Sequence, residues 1–186
     1  MTTTMLRLST LILCCCALLF SACSTAIQST AERDVLDAQA QWALLPLSNN
    51  TDTPQAALSA ESMVDHLLRR RGVHNLALYP VALSRDSLFE PTERKVSEEA
   101  QAWARTQGVR YAVTGSVEEW RYKVGIDGEP AVGVTLKVLD LSTGRTVWSA
   151  SGAKSGWSRQ ALSAVAQTVL TDALDSLPLV NGPERP

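Results

Sequence analysis

The sequence predicts an α/β sandwich on a mixed sheet, with the element order β-α-β-α-β-β-β-α and either two or three layers. Three observations predict it. Short apolar runs alternate with amphipathic helical patterns up to Gly108, long alternating stretches joined by tight turns follow, and a last amphipathic pattern runs from an N-cap at Ser158 to Pro178. Helical crossovers favour parallel strands and tight turns favour antiparallel strands, so one sheet should hold both kinds of pair.

The first half of the domain contains two strands and two helices. The apolar run QWALLPL predicts a buried strand. Thr53 and Pro54 predict the N-cap and first residue of a helix that ends at Gly72. NLALYP predicts a second strand, so these elements form a strand–helix–strand unit with a parallel pair. A second helix should open at Pro91 and end at Gly108.

Three consecutive arginines, Arg69 to Arg71, fall in the last turn of the first helix. Anion binding is one interpretation of such a cluster. A favourable interaction with the partial negative charge of the helix C-terminus explains it more simply. The arginines are therefore predicted to be structural.

The second half consists of long strands joined by turns. The alternation of apolar residues slips in phase at Glu118 and Glu119, which predicts a β-bulge. Strand alternation places Glu118 on the face of Trp120 and Glu119 on the opposite face, unless the bulge merges them. The stretch DLSTGRTVW predicts a hairpin turn at Gly144 followed by another strand.

The leader contains all four cysteines of the chain, the last of them Cys23. A disulfide framework would spread its cysteines through the folded region, so this placement argues against one. The apolar run of residues 11–20 has the length of a secretory signal and is too short to span a bilayer. It ends in Phe20-Ser21-Ala22-Cys23, which resembles a bacterial lipobox. Cys23 is therefore predicted to be lipidated; the alternative is an ordinary signal cleaved after Ala22.

The sequence is predicted to divide into four segments. Residues 1–22 are a lipoprotein signal peptide, 23–40 the lipidated cysteine with a tether, 41–178 a single α/β domain and 179–186 a C-terminal tail. The tether is polar, with a short helix near residues 31–38, and would reach roughly 50 Å if extended. Ser24 directly follows the predicted lipidated cysteine. A serine at this position resembles the sorting pattern of Gram-negative lipoproteins that reach the periplasmic face of the outer membrane.

Charge and motif content exclude several functions. The whole sequence has a net charge of −2. Removing the leader takes away Arg7 and no acidic residue, so the net charge of the mature chain is more negative. A nucleic-acid partner would require a basic face. No metal-ligand spacing, phosphate-binding loop or nucleophile elbow occurs. The sequence therefore predicts no cofactor, no metal and no enzymatic activity.

Two groups of residues remain as candidates for a functional site. Glu118, Glu119, Asp127 and Glu129 cluster around a turn, where two of them could act as glycosidase acids or, more simply, form a solvated surface. Trp157 lies in the loop SGWSRQ beside Arg159. It could pack onto the domain, anchor an interface or lie at a membrane surface, for which its apolar ring and polar NH are suited. By contrast, Trp42 and Trp103 are predicted to lie in the core.

Three stretches of the mature domain resemble the PelC family, the outer-membrane lipoproteins of the Pel exopolysaccharide export system. They are WALLPLSNNTDTPQA, the long segment containing GSVEEWRYKVGIDGEPAVG, and SGWSRQALS. The resemblance spans about residues 40–177. It implies a fold like the N-terminal domain of TolB and a dodecameric ring beneath the outer membrane. It also implies an acidic periplasmic face that guides a cationic amino-sugar polymer to the pore protein PelB.

The resemblance suggests a role for each candidate group. Trp157 and Arg159 match the membrane-facing side best, and the acidic cluster matches the funnel. Within that cluster the turn residues Asp127 and Glu129 are favoured over Glu118 and Glu119. Two alternatives to an export ring remain open: a monomeric lipoprotein that regulates cell-wall synthesis, and a carbohydrate-active enzyme that uses two of the acids.

Overall fold

The computed structural model describes residues 26–31, 35–80, 93–125 and 128–180. Six strands form the main sheet in the order β1-β7-β6-β5-β3-β4, and β2 and β8 form a separate parallel pair. The strands are β1 Ala26–Ala31, β2 Leu36–Asp37, β3 Trp42–Asn49, β4 Leu76–Leu78, β5 Tyr111–Tyr122, β6 Pro130–Asp140, β7 Arg145–Ser155 and β8 Leu179–Val180.

Three helices pack on the sheet: α1 Ala56–Arg70, α2 Glu93–Thr106 and α3 Leu162–Asp175. One core lies between the sheet and the pair α1 and α3, with Trp42 and Trp148 among its largest buried side chains. A smaller core lies on the other face, between α2 and β3 and β5. The α/β sandwich with a mixed sheet is confirmed, and it has three layers. None of the helices within the described residues has the length and apolarity needed to cross a membrane.

The sheet is mixed because helical connections join its parallel strands and tight turns join its consecutive antiparallel strands, as the sequence predicts. β3 pairs in parallel with β4 and with β5, whereas β5, β6 and β7 pair antiparallel in sequence. The hairpin at Gly144 is confirmed, because the Gly144 amide donates to the Asp140 carbonyl at 2.8 Å. The bulge is confirmed too: Val117 pairs with Val134 and Glu119 with Gly133, which leaves Glu118 unpaired.

Two of the three predicted helix starts are too early. α1 begins after Gln55, not at Pro54, and the Thr53 hydroxyl donates to the Trp120 carbonyl on β5 instead of capping a helix. α3 begins at Leu162, four residues after the predicted cap Ser158. The Gln160 amide donates to the Trp157 carbonyl at 3.0 Å, which closes a turn over residues 157–160, and α3 begins beyond this turn. The start predicted at Pro91 lies outside the described residues.

Two of the three arginines at the end of α1, Arg69 and Arg71, make structural contacts, as predicted. Arg69 forms an ion pair with Asp65 at 2.9 Å and donates to the Leu76 carbonyl at 3.1 Å. Arg71 donates to the Leu177 carbonyl at 2.9 Å, and its burial lowers its pKa despite the opposing effect of Asp175.

The segment predicted as a tether enters the fold. Residues 26–31 form β1 on the edge of the main sheet, and residues 36–37 form β2 rather than part of a helix. Part of the predicted tail is also structured, since residues 179–180 form β8 beside β2. Residues 1–25, with Cys23, and residues 181–186 lie outside the described residues.

Candidate functional site

The bulge in β5 brings two acidic side chains to one face of the sheet. Val117 and Trp120 both point into the core beneath α1 and α3. A Cβ built on Gly133 would lie 3.5 Å from the Cβ of Glu119 and 3.7 Å from that of Glu118, so both glutamates extend over Gly133 on the opposite face. The bulge therefore merges them, which is the exception that the prediction from alternation allowed, and Glu118 does not share the face of Trp120.

These glutamates line an open groove of about 560 Å³. Its other walls come from the loop that follows β3 and from β6 and β7. That loop reaches the bulge because β3 is parallel to β5, with Asn49 opposite Val117. The residues that line the groove are Asn50, Thr51, Asp52, Thr53, Glu118, Glu119, Trp120, Arg121, Gly133 and Ala153.

Hydrogen bonds hold Glu118 in its charged form. Its Oε1 accepts from the Ser116 hydroxyl, and its Oε2 accepts from Asn50 Nδ2 at 2.9 Å. These two bonds lower the pKa of Glu118 more than its slight burial raises it. Glu119 forms an ion pair with Arg121 at 3.1 Å. With Asp52, the groove carries three carboxylates and one guanidinium, a balance that suits a cationic ligand.

The structure does not place Glu129 in this groove. The Glu129 carbonyl accepts from the Lys123 amide at 2.7 Å, and the next residue, Pro130, accepts from the Gly156 amide at 2.7 Å. Glu129 thus lies at the strand end that leads to Trp157. Asp127 lies outside the described residues.

Trp157 projects from the same end of the sheet, with 67% of its surface exposed. Packing onto the domain is therefore wrong for this side chain. A Cβ on Gly156 would lie 2.5 Å from Gln160 Oε1 and 2.7 Å from Val165 Cγ2, so the loop is closely packed just before the tryptophan. The Trp157 amide donates to Gln160 Oε1 at 3.2 Å, and Arg159 has a positive φ of 71°. The turn holds the indole outward.

Tyr122 joins this loop to the start of α3. Its hydroxyl oxygen accepts from the Leu162 amide at 3.0 Å. The N-cap residue Ala161 makes no side-chain hydrogen bond to the helix. The tyrosine hydroxyl, from a strand forty residues earlier in the chain, satisfies one of the free amides of the first turn.

The remaining tryptophans fall largely where the sequence places them. Trp42 is fully buried, and Trp103 is half-buried against Tyr79 in an edge-on contact with ring centroids 5.3 Å apart. No group of three or more histidine, cysteine, aspartate or glutamate side chains within the described ranges is arranged to hold a metal ion.

Sequence reasoning missed Asn50 and Asp52 as site residues. Their only signal is a polar loop directly after the first predicted strand. That signal becomes useful once β3 is known to lie beside β5, which depends on the order of strands in the sheet.

The fold is shared with a lipoprotein of known structure. Lipoprotein GNA1162 from Neisseria meningitidis has the same fold with a TM-score of 0.55 at 14% identity, over 72% of this chain and 94% of that one. No protein-family model and no curated protein sequence matches the chain.

Greater similarity relates the chain to the PelC dodecamer from Paraburkholderia phytofirmans. The two are 37% identical with a TM-score of 0.71, over 85% of this chain and 100% of that one. A substituted form of the same protein, also a dodecamer, is 38% identical with a TM-score of 0.72, over 84% of this chain and 100% of that one. The chain belongs to the PelC family.

Proposed function

We propose that this chain is a non-catalytic outer-membrane lipoprotein, lipidated at Cys23, whose copies form a ring that assists export of a cationic exopolysaccharide. The observation that carries the proposal is the 37% identity to a relative that assembles as a dodecamer, over all of that relative's chain. The lipobox-like leader supports the location on the periplasmic face of the outer membrane.

The acidic groove supplies the chemistry of the proposal. Glu118 remains ionised through its bonds to Ser116 and Asn50, and Asp52 lines the same groove. A ring repeats these charges in every subunit, so a modest local charge becomes a strong field along the path of a cationic amino-sugar polymer. Arg121 offsets only part of this charge through Glu119.

The groove pair is a better choice for polymer guidance than the turn pair. Glu118 and Glu119 line the groove together with Asp52, whereas Glu129 does not line it. A role for Asp127 stays a proposal. The polymer would pass from the ring to an outer-membrane pore protein of the export system, PelB in the family.

The assembly is tested by mass photometry of residues 24–186. A ring of uniform mass is expected. A monomer at all concentrations would contradict the proposal and favour the regulator of cell-wall synthesis.

The groove is tested by binding of a deacetylated amino-sugar polymer to purified rings. The double change Glu118→Gln and Glu119→Gln should weaken binding and reduce its salt dependence, because fewer charges attract the polymer. The matched control is Glu99→Gln with Asp172→Asn, which removes two exposed charges from α2 and α3. Equal loss in both variants would show a general charge effect and contradict a specific groove. Polymer cleavage that is lost with the two groove acids would instead indicate an enzyme.

A further inference from the structure

The strand β3 contains a bulge shortly before the loop that lines the acidic groove. Leu44 pairs with Val113 on β5, and the next pair along the strands is Leu47 with Gly115. The two residues of β3 between these pairs face a single residue of β5, which defines a β-bulge. One of the two is Pro46, which has no amide hydrogen to donate and is therefore suited to a bulge. We call this feature the β3 bulge.

The β3 bulge determines which face of the sheet the following side chains occupy. Leu44 and Leu47 both belong to the larger core beneath α1 and α3, whereas Leu45 belongs to the smaller core on the other face. In a regular strand, residues three positions apart point to opposite faces. Without the bulge, Asn50 would move by one position, about 3.3 Å, and every side chain after the bulge would change its face.

Two side chains bond to main-chain groups at the β3 bulge. Glu61, on α1, accepts through Oε1 from the Leu47 amide at 2.8 Å. The Thr114 hydroxyl, on β5, donates to the Pro46 carbonyl at 3.3 Å. A bulge interrupts the ladder of hydrogen bonds between strands, so these side chains supply partners that the ladder does not. The bulge is therefore fastened from both α1 and β5.

The Glu61 carboxyl makes this bond where water is partly excluded. Burial raises its pKa above the ordinary 4.5, although the hydrogen bond from the Leu47 amide opposes the rise. None of the ion pairs within the described residues involves Glu61. Its bond to the Leu47 amide is thus the polar contact that offsets the desolvation of the carboxyl group.

Beyond the β3 bulge, two hydrogen bonds join the loop after β3 to β5. The Asn50 amide donates to the Val117 carbonyl at 2.9 Å. The side chain of Asn50 donates through Nδ2 to Glu118 Oε2 at 2.9 Å, at the wall of the groove. Both bonds require the register in which Asn49 lies opposite Val117, and the β3 bulge produces this register.

We propose that Glu61 is a positioning residue for the acidic groove: by holding the Leu47 amide, it fixes the register of β3 and thereby places Asn50 on Glu118. The inference rests on the proposed role of the groove in binding a cationic polymer. Glu61 does not itself line the groove. It acts from α1, the helix into which the groove loop continues, so the strand, the loop and the helix are fixed together.

Hydrogen exchange of the full-length protein in detergent tests the effect on the register. Glu61→Ala should speed exchange of the amides of residues 47–53 by about threefold to tenfold, as expected for the loss of one hydrogen bond. Glu61→Gln keeps an acceptor and should exchange as the unaltered protein does. Asp65→Ala is the matched control, because it removes an acid from the next turn of α1 that pairs with Arg69 instead.

Binding of a chitosan oligosaccharide, a chain of positively charged glucosamine units, tests the effect on the groove. Glu61→Ala should weaken binding by about twofold to fivefold, as should Asn50→Ala. The double variant should bind about as well as Asn50→Ala alone, because Glu61 acts through Asn50, whereas independent residues would give additive losses. If Glu61→Ala does not fold, Thr114→Val loosens the β3 bulge from β5 and takes its place in both measurements.

The outcomes separate a positioning role from a merely structural one. Unchanged exchange of residues 47–53 in Glu61→Ala overturns the inference, and so does faster exchange with unchanged binding. Additive losses in the double variant, or failure of Glu61→Gln to restore binding, also overturn it. If the unaltered protein does not bind the oligosaccharide, the proposed function fails, and the exchange measurement alone then decides whether Glu61 fixes the register of β3.

Discussion

The two faces of the sheet differ in how completely helices cover them. α1 and α3 cover one face, where Trp42, Leu136 and Trp148 are almost fully buried. α2 covers the other face only over β3 and the beginning of β5. Beyond it lie small and polar side chains such as Thr135 and Ser151, which bond to each other at 3.2 Å, and the acidic groove. The covered face holds the larger core, and the more open face carries the acidic groove.

The largest expected loss of stability comes from replacing a tryptophan by alanine on the covered face, and the same replacement on the other face is the comparison. Trp148→Ala should lower the free energy of unfolding by about 3–5 kcal/mol, because it empties a fully buried site. Trp103→Ala should cost less, since this side chain is half-buried on α2. Urea unfolding of both variants measures the difference. Equal losses would contradict the unequal contribution of the two faces.

A smaller loss is expected where β5 caps α3, one of the two helices on the covered face. Tyr122→Phe removes the acceptor for the Leu162 amide and should cost about 0.5–2 kcal/mol, the range for loss of a helix N-cap. Trp157→Ala, in the adjoining loop, should change stability by less than about 0.5 kcal/mol because the indole is exposed. Thermal unfolding compares the two variants. A larger loss of stability for Trp157→Ala would indicate that this side chain is buried in the core.

Glu61 and Glu118 should respond to pH in opposite ways. Glu61, on α1, accepts from the Leu47 amide at 2.8 Å, where the register of β3 shifts. Burial raises its pKa above the ordinary 4.5 despite that bond. Its favourable contribution is therefore present below pH 4.5 and lost as the pH rises through its folded-state pKa. Glu61→Gln keeps an acceptor, so its free energy of unfolding should rise relative to that of the unaltered protein as the pH increases above 4.5.

The smallest effect is expected for Glu118 in the groove. Its pKa is lowered from 4.5, so its contribution is present above that pH and lost as the pH falls through the folded-state value. Glu118→Gln should cost less than about 1 kcal/mol at neutral pH, because the side chain is exposed. The difference in the free energy of unfolding between this variant and the unaltered protein should vanish in acid. Urea unfolding from pH 3 to 8 checks both signs, and parallel pH profiles for the two variants would contradict this contrast between buried and exposed glutamates.

Much of the fold could be predicted because its signals are local. The bulge at Glu118 shows as a slip in alternation, and the hairpin at Gly144 shows as a turn sequence between two strands. Helix starts were harder to predict. Ser158 has the chemistry of an N-cap, but the closed turn after Gly156 and the hydroxyl of Tyr122 determine where α3 begins.

The exposure of Trp157 could not be predicted from its neighbours in sequence. The loop SGWSRQ is compatible with an indole folded inward or outward. The outward position depends on Gly156 packing against Val165 and on the side chain of Gln160, which closes the turn. These contacts come from α3 and from the loop itself.

The sequence by itself determined the strand and helix types, the bulge and a leader that resembles a lipobox, since each depends on residues close together in the chain. Tertiary structure decided the rest. Residues 26–31 become a strand because the edge of β7 offers backbone partners and Gly152 leaves room for Ile27. Asn50 reaches Glu118 because β3 lies beside β5. Both arrangements join residues far apart in sequence, and only the packed sheet supplies the partners that stabilise them.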